Sequence, residues 1–427
     1  MAWDFSTDPE FEKQLVWMRG FVRDEILPLE TLDVDYRAID RLTAPLKEKV
    51  KERGLWAAHL PPELGGEGFG QVKLALMAEI LGQTRYAAGV FGNQAPDSGN
   101  AELLALGAND AQKERWMYPL LRGELRSCFS MTEPGAGADP TMLATRAELV
   151  GNEYVINGHK WFSSNASIAD FLIAMVVTDP DGPPHGRASM IVVPTNTPGL
   201  KIVRDVPVMS STTSGGVEHG HSEVLYENVR VPAENLIGTR GEGFRLAQKR
   251  LGPGRIHHAM RWLGQSQRAF DMLCERAVSR TVSGSTLAEK QMVQDWVALS
   301  AAEMHAARLM TLHAAWKMDQ VGASSSRVEI SMIKYWGAKV LHDVIDRSFQ
   351  VHGSLGFTTD MPLEAMYRAA RAARILDGPD EVHKVSVARS ILSRYKPVTV
   401  PTEHVPTRRE AALRKFANQL DLITADL

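Results

Sequence analysis

Two changes of sequence character, near Arg126 and near Glu242, constrain the fold of this chain most. Before Arg126 the sequence is rich in Ala, Leu and Glu with short loops, which is typical of packed helices. Turn signals and β-branched residues then alternate to about residue 240, which indicates a small antiparallel barrel or sandwich. We therefore predict an α+β chain with an N-terminal helical bundle (1–125), a middle antiparallel β-barrel domain (126–240), a C-terminal four-helix-bundle domain (241–396) and a tail (397–427).

Local signals predict where several of these elements lie. Asn109 and Gln112 have the spacing of a capping box at the start of a helix. In the β segment, the turn signals Gly151-Asn152 and Asn157-Gly158 bracket a short strand, Tyr154–Ile156. The further strand candidates are Phe171–Val177, Met190–Val193, Leu200–Val203 and Val224–Val231.

Charge and cysteine content exclude several classes of function. The net charge of −3 and the pI near 6.5 provide no basic field for nucleic acid. The longest apolar run, Phe171–Val177, is too short to span a bilayer. Cys128 and Cys274 have no pairing pattern, and His219 and His221 lack further ligands, so we expect reduced thiols and no metal site. With an N-terminus that lacks a signal-peptide core, the sequence predicts a soluble cytoplasmic protein.

A carboxylate at a helix end is the first candidate for chemistry. The turn Gly353-Ser354-Leu355-Gly356 precedes a helix for which Asp360 is the expected cap and Pro362 part of the first turn. Asp377-Gly378-Pro379 ends that helix abruptly. Asp377 is thereby held at a rigid junction, where a general base could be aimed. From the residues alone, an ordinary helix-end residue is the simpler interpretation.

Four motifs, in their order along the chain, resemble those of the acyl-CoA dehydrogenase family. The first, CFSMTEPGAGAD, is similar to the family's flavin-binding loop, and the second, WFSSN, to its aromatic and hydroxyl pair beside the flavin ring. The third is a glycine turn and the fourth carries the family's base position. They lie at Cys128–Asp139, Trp161–Asn165, Gln350–Gly356 and Leu376–Pro379. The resemblance covers nearly the whole chain and excludes only its tail.

This resemblance implies FAD as the cofactor. A flavin needs an apolar platform, donors to its ring and backbone amides for its pyrophosphate. The family pattern implies that Trp161 supplies a wall, that Ser163 places a hydroxyl near N5, and that Arg280 pairs with the pyrophosphate of a neighbouring subunit's FAD. The residues assigned to FAD are Phe129, Ser130, Met131, Thr132, Gly137, Ala138, Trp161, Phe162, Ser163, Arg280, Gln291, Gln350, Gly353, Pro379 and Glu381. Those assigned to the acyl-CoA are Ala138, Gly254, Arg255 and Gly378.

The family's reaction implies a role for Asp377 as the base. It would remove the α proton of an acyl-CoA thioester while FAD N5 accepts the β hydrogen as hydride, giving a trans-2-enoyl-CoA. The family polarises the thioester carbonyl with the backbone N–H of the base residue and a ribityl hydroxyl of FAD. Burial between flavin and thioester is expected to raise the pKa of Asp377.

Three departures from the family pattern bear on the substrate. Most members carry Glu where this chain has Asp377, Gly254 occupies the position of an alternative base, and Ala138 replaces the usual Ser. The Asp base resembles a subgroup that in animals is fused to a kinase-like domain, which raises the hypothesis of a hydroxyl or phosphate on the acyl chain. Gly252-Pro253-Gly254 is expected to interrupt a helix at the acyl pocket and leave room for a bulky chain. The neighbouring His257-His258 is expected to flank a CoA groove or to face water.

The resemblance also implies partners and leaves alternatives open. We expect a homotetramer or dimer that passes electrons to electron-transferring flavoprotein, with no nucleic acid and no membrane insertion. An acyl-CoA oxidase on the same fold is the enzyme alternative. A catalytically silent flavoprotein that serves as an assembly subunit is the alternative from another class, although Asp377 beside intact flavin motifs argues against it.

Overall fold

Helices precede the strands in the computed structural model, which describes residues 7–64, 66–209, 220–398 and 408–425. Asp8 caps the first helix by accepting a hydrogen bond from Phe11 N–H at 2.8 Å. The predicted capping box is confirmed, since the side chains of Asn109 and Gln112 each accept from the other residue's backbone N–H. These helices are α1 (Pro9–Phe21), α2 (Tyr36–Glu52), α3 (Gln71–Leu81), α4 (Ala87–Val90), α5 (Asp97–Gly107), α6 (Asp110–Gln112) and α7 (Tyr118–Arg122).

An eight-stranded sheet forms the middle of the chain. Its strands are β1 (Ser127–Ser130), β2 (Arg146–Val150), β3 (Glu153–Ser164), β4 (Phe171–Val177), β5 (Ala188–Pro194), β6 (Leu200–Asp205), β7 (His221–Pro232) and β8 (Leu236–Ile237). They pair in the order β6-β7-β3-β2-β4-β5-β8, with β1 also beside β4. The predicted fold class is confirmed, but the sheet is mixed because β1 and β2 run parallel to β4. The β2–β3 hairpin separates β1 from β4 in sequence and provides the crossover that parallel neighbours require.

One predicted turn is wrong. Asn157-Gly158 lies inside β3, which pairs with β7 and shifts register between Ile156 and Gly158. A Cβ at Gly158 would lie 2.3 Å from Thr145 Oγ1, so glycine serves close packing here. The turn between β2 and β3 is at Gly151, whose φ is 62°. Pairing with a distant strand has overridden a local hairpin signal.

Long helices return after the sheet. They are α8 (Gly243–Ser279), α9 (Gln291–Ser325), α10 (Arg327–His352), α11 (Leu363–Ala373) and α12 (Asp380–Leu392), and a small hairpin of β9 (Thr281–Val282) and β10 (Ser285–Thr286) joins α8 to α9. The expected interruption at Gly252-Pro253-Gly254 is wrong, since α8 runs through Pro253. Asp360 is not the cap of α11, which begins after Pro362 without a side-chain cap.

The chain divides into two compact units, residues 1–384 and 385–427. The second holds the end of α12 and the short helices α13 (Arg409–Lys415) and α14 (Ala417–Ala425). The domain boundaries at 126, 241 and 397 stay predictions. In the described ranges, no helix combines the length and apolar composition needed to cross a membrane.

Two glycines bring α3 and α8 into backbone contact. A Cβ at Gly264 of α8 would lie 1.9 Å from Glu79 O of α3. A Cβ at Gly82, which follows α3, would lie 2.0 Å from Arg261 O of α8. Real side chains do not tolerate such distances, so only glycine allows the two helices to pack this closely. The contact fixes the position of α8 along α3.

Gly264→Ala should lower the free energy of unfolding by about 1–3 kcal/mol or more, because the methyl group forces α3 and α8 apart. The matched control is Gly20→Ala in α1, where no atom lies within 4 Å of the added Cβ. That control should be neutral or stabilising by up to about 1 kcal/mol. Urea unfolding of both variants measures the difference. A Gly264→Ala protein as stable as the wild type would show that the helices are further apart.

Candidate active site

The predicted base lies in a strained turn between α11 and α12. Asp377 has a φ of 53°, and Gly378, which follows it, has a φ of 93°. Left-handed backbone is unfavourable for most residues with a side chain, and Asp and Asn are among those that tolerate it best. A short acidic residue is therefore compatible with this turn, and the observed strain marks it as a candidate functional site.

Two side chains hold the carbonyl group of Asp377. Arg255 Nη2 donates to this oxygen at 3.1 Å, and His383 Nε2 contacts it at 3.0 Å. Burial lowers the pKa of His383 to about 4, so the ring is neutral at pH 7. A neutral ring can donate to a carbonyl only through its single N–H, which places the proton on Nε2. These two contacts fix the backbone of Asp377 from α8 and α12.

A buried ion pair anchors the start of α12 below the turn. Lys334 Nζ lies 3.2 Å from Asp380 Oδ1, and their side chains are 1% and 3% exposed. Arg374 Nε donates to the second oxygen of Asp380 at 2.8 Å. Burial lowers the pKa of Lys334, which the charge of Asp380 opposes. The turn that carries Asp377 is thus tied to α10 at its far end.

His258 of α8 is the ionisable side chain nearest the carboxylate of Asp377 in the described structure. Its Nε2 lies 3.4 Å from Asp377 Oδ2, and its Nδ1 lies 3.1 Å from Arg261 Nη2. The adjacent His257 contacts Gln71 Oε1 through Nε2 at 3.1 Å. Burial is the main cause of a low pKa in both rings, that of His258 being about 4. His257 is buried, so the expectation that it could face water is wrong, whereas the side chain of His258 is 23% exposed.

Positive charge dominates the surroundings of Asp377. Burial raises the pKa of Asp377, but the charges around it lower it further, so the net direction is downward. This is opposite to the direction that we expect with flavin and thioester in place. The groups that lower it are His258, Arg255, Arg250 and Lys334. The carboxylate is therefore ionised at neutral pH and able to accept a proton.

Arg250 connects this site to the predicted flavin loop. Its guanidinium lies 4.2 Å from the centre of the Phe129 ring, close enough for a cation–π contact. Burial lowers the pKa of Arg250, and the charges of Asp377 and Glu102 oppose that effect. Burial also raises the pKa of Glu102 to about 8. The structure therefore places one cation in contact with Phe129 and within the electrostatic influence of Asp377, although these two residues are far apart in sequence.

A second buried ion pair holds the predicted flavin loop. Lys160 Nζ donates to Met131 O at 2.7 Å and to Glu133 Oε1 at 2.9 Å, and the two charged side chains are 0% and 6% exposed. Glu133 also accepts from the backbone N–H groups of Ala144 and Thr145. Sequence reasoning missed Lys160, although a lysine directly before an aromatic pair on a strand is an available signal.

The hydroxyl assigned to the flavin ring points into the sheet. Ser163 is buried, and its Oγ lies 3.0 Å from Ser130 Oγ, which also accepts from Tyr226 OH at 3.0 Å. A register shift between Lys160 and Ser163 breaks the alternation of β3, so Phe162 is exposed and Ser164 half-buried. The neighbouring Ser164, whose Oγ lies 2.8 Å from His221 Nδ1, is the more exposed hydroxyl, and the assignment of Ser163 to the flavin ring stays a prediction.

The remaining residues assigned to the cofactor are exposed or half-buried. Trp161 is half-buried, and its backbone N–H donates to Thr132 O at 3.0 Å. Gly137 and Ala138 are exposed in the loop after Glu133. In the described part of the chain, no hydrogen bond joins the loop to the exposed residues Arg280, Gln291, Gln350, Gly353 and Glu381 or to half-buried Pro379. A role for Arg280 and Gln291 toward a neighbouring subunit stays a prediction.

Metal ligands are not grouped at any of these places. Among the residues with described positions, no cluster of three or more His, Cys, Asp or Glu side chains could hold an ion. His221 contacts Ser164 and the ring of Phe162, whose centre lies 5.5 Å away. His219 lies outside the described residues.

Comparison with known proteins gives a consistent result along the chain. Models of the N-terminal, middle and C-terminal domains of acyl-CoA dehydrogenases match residues 9–124, 128–229 and 241–392. FadE2 of Mycobacterium tuberculosis, itself assigned as an acyl-CoA dehydrogenase, is 45% identical over 89% of this chain and 94% of its own. Rat acyl-CoA dehydrogenase family member 11 is 39% identical over 90% of this chain, which spans only 51% of that relative. A solved homologue from Mycobacterium abscessus superimposes with a TM-score of 0.85 at 37% identity, covering 92% of this chain and all of the other.

Lys160→Met should destabilise the protein by about 3–5 kcal/mol, because it leaves the buried Glu133 carboxylate without its partner. The matched control is Lys201→Met, which removes an exposed ion pair with Glu227 whose side chains are 58% and 51% exposed. An exposed pair contributes at most about 1 kcal/mol. Unfolding midpoints and the rate of proteolysis near residues 131–145 report the effect. Equal midpoints for the two variants would show that Lys160 does not hold the loop.

Proposed function

This chain belongs to the acyl-CoA dehydrogenase family, and we propose that Asp377 is the base that removes the α proton of its acyl-CoA substrate. As a member of the family it is an FAD-dependent oxidoreductase. The observation that carries the proposal is the placement of Asp377, an ionised carboxylate in a left-handed turn whose carbonyl is held by Arg255 and His383. Arg250 links this turn to Phe129 of the flavin loop.

The residues around the loop fit FAD. Phe162 and half-buried Trp161 offer aromatic surface, and Ser164 offers a hydroxyl beside them. Added Cβ atoms at Gly135 and Gly137 would meet nothing within 4 Å, so a ligand can approach that backbone closely. When bound, FAD supplies the acceptor for the β hydrogen and its electron pair. We propose that Met131 and Thr132 contact the ring edge and that the glycine backbone contacts the pyrophosphate.

The contacts of Arg255 and His383 with the carbonyl oxygen of Asp377 have two consequences for proton removal. They set the direction of the carboxylate, whose free oxygen forms the new O–H bond while the α C–H electron pair enters the Cα–Cβ bond. These contacts also fix the direction of the backbone N–H of Asp377, which has no acceptor among the described residues. That N–H is therefore available to donate to the thioester oxygen, where charge develops as the α proton leaves. One strained residue thus supplies the base and one oxyanion donor.

We further propose that the acyl chain carries an anionic or polar substituent, such as a phosphate or a hydroxyl group. The supporting observation is that Arg250 Nε and Arg255 Nε are buried without a hydrogen-bond partner among the described residues. Buried guanidinium groups normally find acceptors, and a phosphate matches their geometry. A Cβ at Gly254, between them on α8, would meet nothing within 4 Å, so there is space beside both side chains.

The fate of the electrons separates the proposal from its alternatives. We propose that electron-transferring flavoprotein is the acceptor and that the protein acts as a homo-oligomer. An acyl-CoA oxidase would turn over with oxygen alone, whereas a dehydrogenase would be reduced by substrate and require an added acceptor. A silent assembly subunit would bind FAD but would not be bleached by any acyl-CoA. Anaerobic reduction followed by aerobic turnover distinguishes all three.

Asp377→Asn should lower the rate of anaerobic flavin reduction by about 10²–10⁴, since loss of a general base removes the acceptor of the α proton. Asn tolerates the left-handed turn, so FAD content and stability should remain normal. Asp377→Glu should keep part of the activity, because it retains the carboxylate at a cost in backbone strain. Stopped-flow absorbance of the flavin measures these rates. Normal reduction by Asp377→Asn would place the base elsewhere.

Acyl-CoAs that carry a phosphate or hydroxyl group should reduce the flavin with a kcat/KM about 10–100 times that of unsubstituted chains of equal length, as a hydrogen bond to a charged group contributes about 1.5–3 kcal/mol. Arg250→Gln should reduce this preference. A panel of matched acyl-CoAs in both proteins makes the comparison. Equal kcat/KM for all chains of one length would contradict the proposed substituent.

A further inference from the structure

We propose that His258 is a positioning residue that holds Oδ2 of Asp377 and leaves Oδ1 free to take the α proton. The inference rests on the proposed role of Asp377 as the base. Its geometric basis is the 3.4 Å separation between His258 Nε2 and Asp377 Oδ2. In the described structure, no other side chain forms an ion pair or hydrogen bond with this carboxylate. The distance is long for a hydrogen bond, and such contacts in ligand-free sites tighten when substrate binds.

The partners of His258 determine where its proton lies. Arg261 Nη2 lies 3.1 Å from His258 Nδ1, and Arg261 Nη1 donates to Asn93 O at 3.1 Å. A guanidinium can only donate, so Nδ1 must accept and the single proton of the neutral ring must be on Nε2. The chain of contacts from Asn93 through Arg261 therefore points one N–H at the base.

Packing fixes each part of this chain of contacts. His258 and Arg261 are three residues apart on α8 and share one face of the helix. The backbone of Arg261 touches Gly82, so α8 cannot slide or rotate without moving this contact. The backbone of Asn93 is held in turn by a hydrogen bond from its N–H to Ala88 O at 2.8 Å. The direction of the His258 N–H is thus set by three elements of the fold.

A neutral donor suits this position better than a charged one. Burial and the charge of Arg261 lower the pKa of His258 to about 4, against the opposing charge of Asp377. A charged imidazolium would stabilise the carboxylate strongly and make it a weaker base, whereas a neutral N–H orients it at less cost in basicity. The other charged groups that face the pair are Arg250, Arg255 and Lys334, and none of them forms a hydrogen bond with the carboxylate of Asp377 in the described structure.

Three variants separate positioning from packing. His258→Leu removes the N–H and should lower the rate constant of flavin reduction by about 10–100-fold with little change in KM, since the base loses its fixed direction. His258→Gln places an amide N–H near the same point and should recover most of that rate. His257→Leu is the matched control, because this neighbour also lies on α8 but contacts Gln71 and not Asp377. It should cost similar stability and leave the rate unchanged.

Two further readouts would not change if His258 were only part of the core. The acid limb of kcat/KM should move to higher pH in His258→Leu, because Asp377 loses an N–H donor that favours its charged form and so lowers its pKa. Nitrogen NMR of protein labelled in its imidazole rings should show His258 protonated on Nε2 and unprotonated on Nδ1, with His258→Gln identifying the signal.

The outcomes distinguish this inference from the role of Asp377 itself. Normal flavin reduction and an unshifted acid limb in His258→Leu, with Asp377→Asn inactive, would overturn the role of His258 alone. Normal reduction in Asp377→Asn would overturn the proposed function. If His258→Leu does not fold, a His258→Gln protein that has lost the rate, or a ring protonated on Nδ1, would likewise count against the inference.

Discussion

The contact between the backbones of α3 and α8 determines the geometry of the whole site. Gly82 and Gly264 allow an approach that no side chain would permit, and α8 then presents its residues to Asp377 at a fixed height. From this one helix, Arg255 and His258 reach the turn that carries Asp377, and Arg250 reaches Phe129 of β1. A helix that is held by backbone contact cannot shift its position as a helix held by flexible side chains can. The conformation of the turn that carries Asp377 must therefore fit the fixed position of α8.

One buried ion pair lies beside the turn that carries Asp377, and another lies beside the predicted flavin loop. Lys334 and Asp380 anchor the turn with the proposed base, while Lys160 and Glu133 anchor the predicted flavin loop. The charges of Arg250, Arg255 and Lys334 all act on Asp377, and of these three only Lys334 forms an ion pair with another carboxylate in the described structure, that of Asp380. Burying a charge without a partner costs free energy. These positive charges are reasonable only if part of the balancing negative charge arrives with a ligand.

Sequence reasoning found the architecture and the candidate base but not the contacts that aim it. The four motifs lie in continuous stretches, so Asp377 and the flavin loop could be predicted from the family resemblance that these motifs carry, and the three-part order from changes of composition. His258, Arg261 and Asn93 could not, because their relation depends on three elements that meet only in the folded chain. The exposure of Ser164 could not be predicted for another reason: a strand has a period of two, and the register shift after Lys160 changes which side chains face out. The turn expected at Asn157-Gly158 failed because strand pairing outweighed a dipeptide preference.

The left-handed conformation of Asp377 also bears on how this lineage can lose its activity. Asparagine accepts positive φ as readily as aspartate does, and the codons of the two residues differ by one nucleotide. A single point mutation could therefore abolish proton abstraction while the turn, the helices and the flavin loop stay intact. Gene duplication in such a family would readily produce members that keep the shape and the cofactor but have been released from catalysis.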